Sequence, residues 1–183
     1  MEPQEFTLKN GKKITIRQAE PYDAQIILKL SEEIFEDDEF FLTTRQEIKE
    51  HLTFEKQKER IKGFVNKQGK VLLVAEADGV IVGTSEVDNG NKKRRQHVGR
   101  IGMSVLKEYR SIGCGTALLQ SIIEWAKEDE LIEKLGLEVF ANNVNAISLY
   151  KKLGFREQGK APRELKIHED EYVDMILMYK FVK

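Results

Sequence analysis

The chain has 183 residues, 40% of them hydrophobic, which suits one domain with its own core and excludes disorder. Its 30 basic and 31 acidic residues leave a formal net charge of −1, so no global field draws it to nucleic acid or to an anionic membrane. The single cysteine, Cys114, excludes an internal disulfide and a zinc cage of several thiolates; with no apolar signal region and no run of membrane-span length, a cytoplasmic protein is expected.

In chain order, Lys13–Arg17 alternates as a half-buried strand. Glu20, Pro21 and Asp23 open a helix that places Ala24, Ile27, Leu28 and Ile34 on one face, and the acidic segment 32–41 ends it. Thr44 and Glu47 have capping-box spacing for a second helix over about 45–61. Val71–Ala77 and Val80–Val87 are strands joined by Asp78-Gly79, a strong hairpin signal. Asn89-Gly90 marks another turn, and Gln96–Leu106 returns as a strand. A glycine turn, a helix over Thr116–Lys127, a strand over Leu135–Phe140 and a short helix over Ala146–Leu153 follow. Two final strands, Phe155–Ile167 and Tyr172–Phe181, meet around His168–Glu171. This order predicts a single α/β domain over 1–183. Its mixed, mainly antiparallel central sheet should have about seven strands, with helices on both faces. The strands on either side of the glycine turn and its helix should be parallel neighbours.

The stretch YRSIGCGTALL (109–119) carries the chemistry. A strand, then a turn with Gly113 and Gly115, then a helix start presents free N–H groups to an anion, most often phosphate. The turn lacks the Gly-Lys-Ser/Thr of a P-loop. It also lacks the third glycine of a dinucleotide fingerprint, since Leu118 stands there.

Arg110-Ser111-Ile112-Gly113-Cys114-Gly115-Thr116-Ala117 resembles the Q/R-x-x-G-x-G/A signature of the GNAT (GCN5-related) N-acetyltransferases. Asn143 to Phe155 (NVNAISLYKKLGF) resembles that family's second motif, N-x-x-A-x-x-L-Y-x-x-x-G-F, and the resemblance extends over about residues 12–181. It implies a protein that uses acetyl-CoA as co-substrate, with backbone N–H groups of about Ser111 to Ala117 on the pyrophosphate and the Thr116 hydroxyl adding a bond. It implies that Gly102–Leu106 and Gly136–Phe140 splay around the pantetheine arm, which would pair with the backbone near Met103 and Val105. A backbone N–H of Met103 or Ser104 would polarise the thioester carbonyl. Attack by the acceptor amine would be direct, and a homodimer through the last strands is allowed by analogy. The acceptor is expected to be a small-molecule amine, with a protein amine and a non-catalytic acyl-CoA sensor as alternatives.

By the same resemblance Tyr150 is the proton donor to the leaving thiolate; its alternative is a buried tyrosine satisfying a core hydrogen bond. Asn143 would hold the cofactor arm or cap the following helix. Glu86 is the first candidate for general base and Glu138 the second, although either could be a solvent-facing strand carboxylate. Cys114 has no histidine beside it and is not expected to act as a nucleophile. Lys92-Lys93-Arg94-Arg95 is expected to be a solvated hairpin, and His51, His97 and His168 have no metal-ligand spacing, so no metal is expected. Two ideas about the acceptor stay open. The acidic stretch Glu32–Glu39 would suit a polyamine, whereas Arg163 and Lys166 would suit a carboxylate-bearing amino acid.

Overall fold

A computed structural model describes residues 1–37 and 53–183. In chain order it contains β1 (Gln4–Thr7), β2 (Lys13–Gln18), α1 (Ala24–Asp37), α2 (Phe54–Lys62), β3 (Lys70–Ala77) and β4 (Val80–Asp88). These are followed by β5 (Val98–Val105), α3 (Cys114–Glu128), β6 (Lys134–Phe140), α4 (Val144–Lys152), β7 (Arg156–His168) and β8 (Glu171–Phe181). Eight strands form one sheet in the order β1-β2-β3-β4-β5-β6-β8-β7. Neighbours are antiparallel except β5 and β6, the parallel pair joined through α3.

The period of β3 builds two layers from one strand. Val71, Leu73 and Ala75 join the core beneath α3, whereas Leu72 and Val74 join the core beneath α1 and α2. Side chains two apart share a face, so a strand with both faces covered reads as a continuous apolar run. The Asp78-Gly79 turn has positive φ at both positions, 50° and 79°, as a two-residue hairpin with primed geometry requires. Near this turn a bulge at Ala75/Glu76 shifts the β3–β4 register.

Three elements depart from the sequence expectation. The sheet has eight strands, not about seven, because β1 pairs with β2 across a turn in which Gly11 takes φ 83° and Leu8 N–H donates to Lys12 O at 2.8 Å. Side-chain bonds fasten this hairpin to α3: the buried Ser121 hydroxyl donates to Gln4 Oε1 at 2.7 Å. The expected start of the second helix at Thr44 and Glu47 lies outside the described residues. The described helix α2 begins after Thr53, whose backbone is extended (φ −113°, ψ 156°) and whose hydroxyl accepts from Lys56 N–H, so no single helix runs over 45–61. Finally, β5 begins at Val98, because Lys93–Arg95 form a 3-10 turn.

One polar cluster pins the first helix to the sheet. Arg17 of β2 donates to both Asp23 oxygens at 2.8 and 2.9 Å, and Asp23 also accepts from Glu20 N–H at 2.8 Å. The hydrogen bond to Asp23 raises the Arg17 pKa above its ordinary value, against the effect of burial. Asp23 is 1% exposed, so Asp23→Ala strands a partly buried guanidinium that keeps Glu76 and the Gln18 carbonyl. The expected loss of stability is about 3 kcal/mol, at the lower end for a broken buried pair because Arg17 stays partly hydrated. Urea unfolding of the two proteins measures it; a loss below about 1 kcal/mol would mean the pair behaves as a surface salt bridge.

Candidate active site

The glycine turn is shaped by its backbone. After β5, Leu106 N–H donates to Val82 O at 2.9 Å and residues Lys107–Tyr109 make a 3-10 turn. Ser111 then takes φ 61° and Gly113 takes φ 115°, ψ −8°, which is the left-handed region that favours glycine. Gly113 caps α3 by its backbone alone, and the Ala117 N–H is the first to close on the Gly113 carbonyl, at 3.0 Å. The N–H groups of Cys114, Gly115 and Thr116 therefore start the helix without an intrahelical acceptor and form the positive end of its dipole. Gly115 has an ordinary helical φ. A Cβ there would sit 3.6 Å from Met103 Cε and 3.5 Å from Leu149 Cδ2, so its bareness keeps the groove wall low.

Braces hold the turn from two sides. Arg110 Nε donates to Val105 O at 2.8 Å, and Lys9 N–H from the β1–β2 turn donates to Ile112 O at 2.9 Å. Cys114 and Ala117 are buried in the core, and Ile112 packs against it. Any contact they make with a ligand would therefore go through the backbone, and the Ala117 N–H is already bonded. Burial pushes the Cys114 thiol up to about 12, so it stays protonated at neutral pH and is a poor nucleophile.

Beyond the turn, β5 and β6 diverge. Their parallel pairing covers only Val98–Arg100 against Lys134–Gly136. From there β5 continues beside β4 and β6 continues beside β8. A cavity of about 870 Å³ opens between them, with Met103 and Ser104 on one wall and Leu137, Val139 and Phe140 on the other. A second cavity, of about 510 Å³, runs from Met103 and Val105 past Arg110 to Ser111, Gly113, Gly115 and Thr116. Met103, Ser104, Asn143, Ala146 and Tyr150 line both, so this is where the groove meets the opening.

Backbone alternation fixes which groups point into the opening. The Val105 carbonyl is turned outward to Arg110, while Leu106 N–H is turned inward to Val82. Groups two residues apart share a side, so Met103 directs its N–H outward and Ser104 directs its own toward β4. The two candidate donors are thereby distinguished.

Tyr150 of α4 is 8% exposed and meets Phe155 edge-on at 5.9 Å. Among the described residues its hydroxyl makes no hydrogen bond, and no fully buried side-chain polar atom lacks a partner. Tyr150 lines both cavities. Burial pushes its pKa up to about 12, which keeps it a phenol, able to donate, across the physiological range. Asn143 caps α4, its Oδ1 accepting from Ala146 N–H at 3.1 Å, while its side chain also lines both cavities.

The two candidate bases stand on different strands, and of the two Glu138 lines the larger cavity whereas Glu86 lines neither cavity. Glu86 of β4 stands opposite Gly102, packs against the space a Cβ would fill there and is ion-paired to Arg60 of α2. Glu138 lines the larger cavity and lies 3.5 Å from Arg100. The basic run is exposed, as expected of a hairpin, yet Lys92 and Arg95 line the larger cavity. Sequence reasoning missed this, because only the fold turns the loop toward β5. Lys9 was missed too: it lines the smaller cavity from a hairpin whose only signal was Asn10-Gly11. Arg163 and Lys166 stack on Tyr172 and line neither cavity. Of the acidic stretch, Glu32 and Glu33 are exposed on α1, and the rest falls outside the described side chains. Among the described residues no His/Cys/Asp/Glu group could hold a metal, and no helix is long and apolar enough to cross a membrane.

Comparison with known proteins agrees with this geometry. The model of the acetyltransferase (GNAT) family matches residues 29–155. The chain is 32% identical over 115 residues to the L-amino acid N-acetyltransferase AaaT of Escherichia coli, covering 63% of this chain and 70% of that protein. It is 41% identical over 95 residues to an N-alpha-acetyltransferase of Sulfurisphaera tokodaii, covering 46% of this chain and just 56% of that protein. In three dimensions it resembles a GNAT-family acetyltransferase from Streptococcus pneumoniae, with TM-score 0.87 and 29% identity over 92% of this chain and 99% of the other. The fold is also that of yncA from Salmonella typhimurium, solved with its cofactor acetyl-CoA, with TM-score 0.81 and 18% identity over 93% and 94% of the two chains.

Proposed function

Because the chain belongs to the GNAT family of acetyltransferases, we propose that as a single domain it transfers the acetyl group of acetyl-CoA directly to a primary amine of a small molecule. The observation that carries this reading is the opening where β5 and β6 part, with the Met103 N–H on its wall, Tyr150 at its mouth and the helix start of α3 at the end of the adjoining groove. Acetyl-CoA supplies an activated thioester. The N–H groups of Cys114, Gly115 and Thr116, with the Thr116 hydroxyl, hold its pyrophosphate. The outward backbone of Met103 and Val105 pairs with the pantetheine arm as an added strand would. The Met103 N–H faces the thioester oxygen and stabilises the charge that develops there. Tyr150 gives its proton to the leaving sulfur, and Glu86 receives the proton of the attacking amine.

The lining of the larger cavity supports an acceptor that carries a negative group, not a polyamine. Its carboxylates are already engaged, Asp88 with Lys70 at 2.9 Å and Glu138 with Arg100, which leaves Lys92 and Arg95 as excess positive charge. An amino acid carries such a group, which the field of those two cations would draw into the cavity without pairing with it, and the likeness to an L-amino acid N-acetyltransferase supports this reading. A peptide α-amine is the second reading. Val98, beside that loop, lies five residues of strand from Met103, about 16 Å, beyond the span of one amino acid. Thiol release from acetyl-CoA, measured against amino acids, acidic and basic peptides and polyamines, tests both readings. Turnover with amino acids supports the first and turnover confined to acidic peptides the second. Saturable acetyl-CoA binding with no turnover on any amine would replace both with a sensor.

The base assignment has its own test. Glu86→Gln should lower kcat/KM by about 10²-fold below the acceptor amine's pKa, where the amine must lose a proton, and the two proteins should converge above it. Glu138→Gln, run in parallel, should follow the parent. A constant ratio across pH would make Glu86 a partner of Arg60 and nothing more.

A further inference from the structure

The groove has a cation that neither GNAT motif contains. The turn between β1 and β2 lies against the glycine turn: Lys9 N–H bonds the Ile112 carbonyl at 2.9 Å, and Leu8 Cδ2 approaches within 3.7 Å of where a Gly113 Cβ would be. The Lys9 side chain then reaches along the turn, and its Nζ donates to the Ser111 carbonyl at 3.1 Å. An ammonium group has three donors, and this bond uses one. Lys9 lines the smaller cavity together with Ser111, Gly113, Gly115 and Thr116, on the rim of the helix start. Arg110, the cation within the signature, has its Nε turned to the Val105 carbonyl as a brace.

We propose that Lys9, carried by the N-terminal hairpin, is a phosphate ligand of the acetyl-CoA site, its ammonium group held by the Ser111 carbonyl so that its remaining donors face a phosphate of the bound cofactor. This rests on reading the glycine turn as the cofactor's phosphate site. It gives β1 and its turn a binding role besides completing the sheet. Because the backbone bond from Lys9 to Ile112 survives any side-chain replacement, the hairpin stays docked when the ammonium group is removed.

Calorimetric titration of coenzyme A and of 3′-dephospho-coenzyme A into the parent, Lys9→Met and Lys9→Arg, with ligand-free melting of all three, tests it. Lys9→Met should bind coenzyme A roughly tenfold or more weakly, the effect of one charge-assisted bond, with an unchanged ligand-free melting temperature. Lys9→Arg should keep most of the affinity, and raised salt should shrink the gap. A loss that persists with 3′-dephospho-coenzyme A puts Lys9 on the pyrophosphate; a loss that vanishes with it puts Lys9 on the ribose phosphate. Affinity within twofold of the parent, an equal loss in Lys9→Arg, or a matching fall in ligand-free melting temperature would overturn the proposal. A parent that binds neither compound would instead refute the phosphate-site reading on which it depends.

Discussion

Gly115→Asp should bind acetyl-CoA about 10³-fold more weakly than the parent while folding at least as well. The second half of that statement gives the first its meaning. A Cβ at Gly115 meets Met103 and Leu149 at ordinary contact distances, and the backbone there is plain helix, so a side chain can start there without backbone strain. A carboxylate in the first turn of α3 favours the ligand-free helix by about 0.3–1 kcal/mol through the dipole. The same carboxylate stands where the pyrophosphate is proposed to lie. Two like charges about 4 Å apart at an effective dielectric near 20 repel by about 4 kcal/mol, which is about three decades in affinity. Melting temperature should therefore hold or rise as binding fails. Unchanged affinity by calorimetry would remove the phosphate from this turn.

Tyr150→Phe should have the opposite profile, with kcat lowered by about 10²-fold and acetyl-CoA affinity nearly unchanged. The hydroxyl makes no hydrogen bond among the described residues, so its removal leaves no buried partner unsatisfied. The ring keeps its place against Phe155. What is lost is a proton donor that burial, by pushing its pKa up to about 12, holds in the neutral form. The sign matters. A phenol donates below its pKa, so Tyr150 should impose no alkaline fall in kcat until the pH nears 12, and any fall at lower pH must belong to another group. Steady-state kinetics over pH with both proteins measures this. Equal kcat in the two would make Tyr150 a packing residue.

Local sequence was legible where local chemistry decides. The run from Arg100 into α3 could be read because strand period, glycine turn and helix period change within a few residues, and Gly113 takes the positive φ that its place before a helix suggested. Asp78-Gly79 marked its hairpin for the same reason. β1 escaped because four residues with alternating partial burial carry little apolar signal, and its Asn10-Gly11 turn lies close to the N-terminus. A single helix over 45–61 does not form, because Thr53 adopts extended backbone and caps the start of α2. In the site, the residue types were legible but their orientations were not. That the Met103 N–H faces the opening while the Ser104 N–H faces β4 depends on which strand neighbours β5. That Glu86 finds Arg60, and Lys9 finds Ser111 across 102 residues of chain, depends on the finished fold.

The most direct measurement is a calorimetric titration of acetyl-CoA into the full chain without acceptor, followed by intact-mass analysis and then by addition of an amine that supports thiol release. The account predicts one saturable site, no mass gained by the protein, and an acetyl group that appears only on the amine. Absence of saturable binding at about 1 mM acetyl-CoA, a concentration at the upper end of ordinary enzyme affinities, or a stably acetylated protein that then passes its acetyl group to the amine, would contradict it.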